Sequence, residues 1–197
     1  MKQEGRLAEI ENCIDAANAA DPNKIEFEGT LRPAALIYGK RMSAMLKSFR
    51  PEASELLQLA ARAQHIERWK SPRTNYPEGR GGYLLWRKEL KEFHAERLGA
   101  LMVEAAYTAE EIDRAGALIR KERLKRDHEV QALEDVVCLV FLKHYAGEFI
   151  AKHEDEKVIR ILAKTSKKMS PEGLEAAGRL KLPDRLSSLL QAALERP

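Results

Sequence analysis

Residues 58–87 read QLAARAQHIERWKSPRTNYPEGRGGYLLWR, and the rest of the chain is read outward from this stretch. Ala53, Leu56, Ala60, Ala63 and Ile66 recur at helical spacing, so a helix opened by Pro51 buries that stripe. Gln58, Arg62, His65 and Trp69 follow on an adjoining one. Pro72 disfavours helical backbone at the residue before it, which predicts that the helix does not pass Ser71. Helical period then resumes with Trp86, Leu90, Phe93, Arg97 and Leu101. Between the two helices lies a predicted loop over residues 70–82, longer than the usual connection of ~4–6 residues and of a length often used for function.

The same stretch concentrates chemistry: His65, Arg68, Trp69, Arg73, Tyr76, Arg80, Tyr83, Trp86 and Arg87 fall within it, and both tryptophans of the chain are here. Planar guanidinium forks match phosphate and carboxylate oxygens better than lysine point charges do. Gly79, Gly81 and Gly82 let backbone approach a ligand closely. Arg68, Trp69, Arg73, Tyr76, Arg80 and Arg87 are therefore the expected ligand-binding set, for an anionic partner. The plainer reading is a solvated loop whose aromatic rings plug the core.

The flanking segments also read as helices. Leu7, Ile10, Ile14 and Ala17 make one apolar stripe that stops before the turn Asp21-Pro22-Asn23. Pro33 suits the first turn of a second helix in which Ile37, Met42, Met45 and Phe49 face inward. His94 has Leu90 and Leu98 one turn away on either side, so it belongs beside an apolar face. Thr108 and Glu111 form a capping-box signature ahead of a stripe of Ile112, Ala115 and Ile119, which Glu122 appends as a core-facing carboxylate. From Glu129 to Tyr145 the β-branched run could form a strand, but its length and the spacing of Val130, Leu133, Val137 and Phe141 favour a helix buried on more than one side. Glu134 and Asp135 enter that helix as a carboxylate pair, and at least one must meet polar surroundings. Further helices are expected near residues 155–164, after the Ser170 cap and Pro171, and over 184–195. No strand, repeat or low-complexity tail is expected.

The 197 residues suffice for one domain with its own core, and the expectation is a single all-helical domain over 1–197. Hydrophobic content of 44% and charged content of 33% exclude a disordered chain. A net charge of +3 is too mild to declare nucleic-acid binding. Cys13 and Cys138 are far apart with no CxxC pair, and Met-Lys-Gln-Glu leads into an amphipathic helix, so a reducing cytoplasm is the expected location. The longest apolar run, Val136 to Leu142, is far below the ~20 residues of a membrane span, so no membrane partner is expected. Neither a P-loop nor a dinucleotide glycine fingerprint is present.

The run Ala61 to Trp69, with Pro72-Arg73, Tyr76-Pro77, Arg80, Gly82-Tyr83 and Trp86-Arg87, resembles an uncharacterised family known as domain of unknown function 4202. Asp21-Pro22-Asn23, Tyr38-Gly39, Arg41-Met42-Ser43, Gln131 to Val136, Cys138 to Phe141, Lys164-Thr165 and Lys168 to Ser170 extend the resemblance over nearly the whole chain. It implies no activity. A weaker likeness is to HD-type metal-dependent phosphohydrolases, all-helical domains in which histidines from separate helices and a late aspartate hold a divalent metal. His65, His94 and Asp135 are the residues here that the likeness would make metal ligands, although no His-Asp doublet exists and Asp127-His128 runs in reverse order.

Two functional expectations follow. The first is a metal-dependent hydrolase of a phosphorylated small molecule or nucleotide. In it His65, His94 and Asp135 would hold a divalent metal, Glu122 or Glu134 would ligate it or move protons, and the arginines would neutralise phosphate. The alternative is a non-catalytic helical module that binds RNA or a phosphorylated ligand through the Arg/Tyr/Trp loop, by stacking.

Overall fold

The computed structural model describes residues 3–195. Its helices are α1 (Gln3–Ala19), α2 (Ala34–Phe49), α3 (Glu55–Arg62), α4 (Gly79–Glu104), α5 (Ala109–Arg120), α6 (His128–His144), α7 (Ala146–Ala151), α8 (Asp155–Ser166), α9 (Pro171–Gly178) and α10 (Asp184–Leu194). The expected all-α class is what the chain adopts.

Helix α6 is the axis of the fold, packed by α2, α3, α5, α7 and α9. Its β-branched residues are helical because burial on several sides, not intrinsic propensity, decides the segment. Val130, Leu133, Val136, Leu139 and Val140 are all buried. Asp127 closes its first turn by accepting from the backbone N–H groups of Glu129 (3.0 Å) and Val130 (3.1 Å), while Arg114 grips the same carboxylate. The capping box at Thr108 and Glu111 opens α5, and Ser170 with Pro171 opens α9, as the sequence predicts. Helices α4 and α5 pack as a hairpin, and α8 and α10 pair at the C-terminal end.

Three local expectations are corrected. First, the chain has strands: β1 (Lys24–Phe27) and β2 (Thr30–Pro33) form an antiparallel hairpin with Ile25 opposite Arg32. Glu28 and Gly29 at its tip both have positive φ, 50° and 72°, the geometry of a tight hairpin turn. Glu-Gly lacks the asparagine or aspartate that marks such turns in a sequence.

Second, α3 ends at Arg62, well before Trp69. The chain turns through residues 63–67, where Glu67 is left-handed (φ 49°), and continues as a single 3-10 turn over Arg68–Lys70. The predicted 70–82 loop ends early, because α4 begins at Gly79 and takes in Arg80, Gly81 and Gly82. A β-carbon at Gly82 would lie 1.8 Å from the Pro77 carbonyl oxygen, so only glycine lets the new helix fold back on the loop so tightly.

Third, Glu122 does not face the core. The stripe of α5 stops at Arg120, and Glu122 sits in the following turn with its side chain 51% exposed, accepting from Arg120 Nε at 2.6 Å.

Candidate functional site: a cation-lined aromatic cleft

A cleft of about 670 Å³ opens between the β-hairpin, the N-terminal half of α2, the turn after α3 and the start of α4. Aromatic walls come from Tyr38, Trp69, Trp86 and Tyr145, and polar groups from Asn23, His65, Arg68 and Arg73. Its size and mixed lining are those of a small-molecule pocket.

Asp21 builds one edge. Its Oδ1 accepts from the N–H and side-chain amide of Asn23 at 2.9 Å each, and its Oδ2 accepts from the Ala35 N–H at 2.9 Å. The carboxylate thus ties the Asp21-Pro22-Asn23 turn to the first turn of α2, and its charge is met by backbone and amide donors inside the protein. One turn on, Tyr38 stacks flat on His65, ring centroids 4.0 Å apart with planes 15° apart. Gly39 permits this approach of α2 to α3: a β-carbon there would come 2.9 Å from the Arg62 carbonyl oxygen.

The turn 63–68 is held from two sides. The Asn18 carboxamide oxygen accepts the Glu67 N–H at 3.0 Å, and His94 Nδ1 bonds the Ile66 carbonyl at 2.8 Å. The Glu67 carboxylate pairs with Arg97 and Lys70, at 2.5 Å each. These contacts hold a non-glycine residue in left-handed backbone, which costs about 1–2 kcal/mol. The result is that His65 and Arg68, three residues apart, both face the cleft.

Protonation follows from the donors. An arginine can only donate, so Arg68 Nη1, 3.0 Å from His65 Nε2, identifies that nitrogen as an acceptor and His65 as neutral. Burial, then the positive charges of Arg68 and Arg87, hold its pKa well below the ordinary histidine value. His94 is 2% exposed and gives its Nδ1 proton to a carbonyl, which leaves Nε2 as a lone pair with no hydrogen-bond partner among the described residues. Burial, then Arg68, lower its pKa to about 3. The two imidazole rings are 5.9 Å apart.

Arg68 is the distinctive charge of the site. It is half-buried, its guanidinium lies 4.9 Å over the Trp86 ring, and its hydrogen bond is to His65 rather than to a carboxylate. Burial, then neighbouring Arg87, lower its pKa, so the protein itself disfavours this charge and an incoming anion would relieve it.

The six residues expected to bind ligand separate. Arg68, Trp69 and Arg73 line the cleft. Arg73, however, donates to its own loop, to the Tyr76 carbonyl at 2.9 Å and the Pro77 carbonyl at 2.8 Å, which makes it chiefly a brace. The Tyr76 hydroxyl donates to Glu89 at 2.8 Å and fastens the loop to α4. Arg80 is exposed in the first turn of α4 and is not among the cleft-lining residues. Arg87 follows Trp86 on α4, half-buried.

The expected metal and acid–base residues do not gather. His65 and His94 come together, but Asp135 accepts from the Ser170 N–H at 2.8 Å and the Ser170 hydroxyl at 2.7 Å, latching α9 onto α6. Glu134 is buried in an ion pair with Lys121, and Glu122 pairs with Arg120 at the surface. Among the described residues, no group of three or more His, Cys, Asp or Glu is placed to hold a metal ion. The side chains present therefore do not fit the three-ligand centre that the HD likeness implies.

Sequence reasoning passed over Tyr38, Tyr145, Asp21 and Asn23 as site residues. Asp21 and Asn23 carried a turn signal, and Tyr38 stands before the glycine on which the close approach of α2 depends.

Fold and site together define an all-helical domain that presents an aromatic, cation-bearing cleft. The chain belongs to the family described as Domain of unknown function (DUF4202), which it matches over residues 9–190. No curated protein and no solved structure gives a significant match. Among the described residues, no helix is long and apolar enough to cross a membrane.

Proposed function

We propose that this domain binds a phosphorylated small molecule carrying a planar ring, of the mononucleotide class, in the cleft between α2, the 63–70 turn and α4. The observation that carries this reading is Arg68: a half-buried guanidinium with no carboxylate partner among the described residues, set between the ring of Trp86 and the neutral His65. Such a group is poised to gain a charge-assisted, bidentate contact from phosphate. Trp69, Tyr38 and Tyr145 supply surfaces on which a base can stack.

The test is the melting temperature with adenosine monophosphate or inorganic phosphate added. A ligand that prefers the folded protein raises it by mass action. The rise is expected in the parent and lost in Arg68→Gln; no rise with either compound sinks the reading.

Hydrolysis of that ligand is a second reading, supported by the bare Nε2 of buried His94 beside His65. Two imidazoles fall short of the three protein ligands of a resident metal site, so no metal step is assigned. Release of phosphate from adenosine monophosphate by the parent protein that disappears in His65→Ala would favour hydrolysis over binding alone.

A further inference from the structure

The Asp21-Pro22-Asn23 turn fixes one polar group of the cleft in a definite orientation. Both Asp21 oxygens act as acceptors, Oδ1 from the Asn23 N–H and side-chain nitrogen at 2.9 Å each and Oδ2 from the Ala35 N–H at 2.9 Å. An accepting oxygen can be met by the nitrogen of a carboxamide but not by its oxygen, so Asn23 turns Nδ2 toward Asp21 and Oδ1 away from it. The Asn23 carbonyl also accepts the Ala34 N–H at 2.9 Å, which ties the residue to the first turn of α2 through its main chain. Held by main chain and side chain together, Asn23 keeps this orientation, and its Oδ1 accepts no hydrogen bond among the described residues.

Asn23 stands on the wall of the cleft built by the hairpin and α2, in company with the apolar side chains of Pro22, Ile25, Ala34 and Ala35 and with Asp21, whose oxygens are already engaged. Its Oδ1 is therefore the free side-chain acceptor of that wall. Arg68 belongs to the wall built by the 63–70 turn and the start of α4. A mononucleotide carries its phosphate and the hydrogen-bonding edge of its base at opposite ends, which matches a cation on one wall and an acceptor on the other.

We propose that the base of the cleft's ligand bears an exocyclic amino group, as adenine does, and that Asn23 selects it: the amine donates to Oδ1 while the phosphate rests on Arg68. This rests on the reading of the cleft as a mononucleotide site and names the class of base it takes. Hypoxanthine, of the same shape, places a carbonyl oxygen where adenine has its amine, so two acceptors face each other and the bond goes unmade. A site built to bond a donor rejects the analogue that lacks it. Asn23 is exposed at the rim, where water also serves its oxygen, so the discrimination is roughly tenfold rather than thousands-fold.

Titration calorimetry with adenosine monophosphate, inosine monophosphate and purine riboside monophosphate, which has hydrogen in place of the amine, tests it. The adenine nucleotide is expected to bind about tenfold more tightly than either of the others. Asn23→Ala should reduce that preference to about twofold or less, and Arg68→Gln should weaken all three ligands and preserve it. Equal affinities for the three in the parent protein, tighter binding of either analogue, or a preference unmoved in an Asn23→Ala variant whose circular dichroism matches the parent overturns the selection of the base and leaves the phosphate anchor standing. The purine riboside comparison needs no variant, so it decides the matter even where Asn23→Ala does not fold. If none of the nucleotides binds, both the selection and the reading on which it rests fall.

Discussion

The carboxamide oxygen of Asn18, near the end of α1, accepts the backbone N–H of Glu67, 49 residues away, at 3.0 Å. Both residues are buried, so this bond satisfies a donor that water does not reach and holds left-handed backbone between the two site residues His65 and Arg68. Replacing Asn18 by leucine leaves that N–H without a partner, which costs roughly 1–3 kcal/mol. Urea unfolding of Asn18→Leu should show a loss of that size together with a weaker phosphate-induced melting shift. A destabilised variant with an undiminished shift would mean that the turn does not position Arg68.

Stability should fall on mild acidification. His94 stays neutral in the folded protein down to about pH 3, whereas in the unfolded chain it protonates near its ordinary value of 6.5. Between those values the unfolded state binds more protons, so the folded state loses stability as pH drops below about 6.5 and keeps it fully above. The limiting slope for one such group is about 1.4 kcal/mol per pH unit. His65 is shifted in the same direction and adds to the loss. Urea midpoints measured from neutral pH down to about pH 5 should converge for parent and His94→Gln as the parent weakens; parallel curves would show that His94 does not titrate this way.

Tryptophan emission should report the site directly. Trp69 and Trp86 both line the cleft, and Trp86 also donates its indole N–H to the Ser71 carbonyl at 2.9 Å. Adenosine monophosphate is expected to change the emission saturably, and Trp69→Phe should remove part of the change without unfolding the protein. Unaltered emission during binding proved by calorimetry would place the ligand outside this cleft.

Asp135 should behave as a fastening of α9 and not as a ligand of anything bound. Asp135→Ala removes the acceptor for the Ser170 N–H and hydroxyl, at a cost of about 1–3 kcal/mol. Its phosphate-induced melting shift should match the parent's. Loss of the shift with stability intact would return Asp135 to the site.

Glu122 shows where local reading ends. Its spacing continues the stripe of α5, yet Lys121 closes the helix in left-handed backbone and Glu122 emerges at the surface. Nothing in the apolar period announces that stop, because Lys121 is turned by its inward pairing with Glu134, a residue on another helix. The same holds for Arg73: a loop arginine reads as a ligand contact until its guanidinium is found on the Tyr76 and Pro77 carbonyls.

By itself, the sequence determined the helical class, the caps at Thr108 and Ser170, the burial of α6, and one stretch, residues 58–87, that supplies His65, Arg68, Trp69, Arg73 and Trp86 to the cleft. Those features leave their signal within a turn or two of chain, where apolar period and capping chemistry are written directly in neighbouring residues. Only the tertiary structure decided which of the chemical groups meet. It stacked Tyr38 on His65, brought His94 to Ile66 across 28 residues, and carried Asp135 away to Ser170 across 35. Such pairings follow from how closely the helices approach, as Gly39 allows α2 to approach α3, and from the buried hydrogen bonds that fix the intervening turns. Neither leaves a periodic trace along the chain.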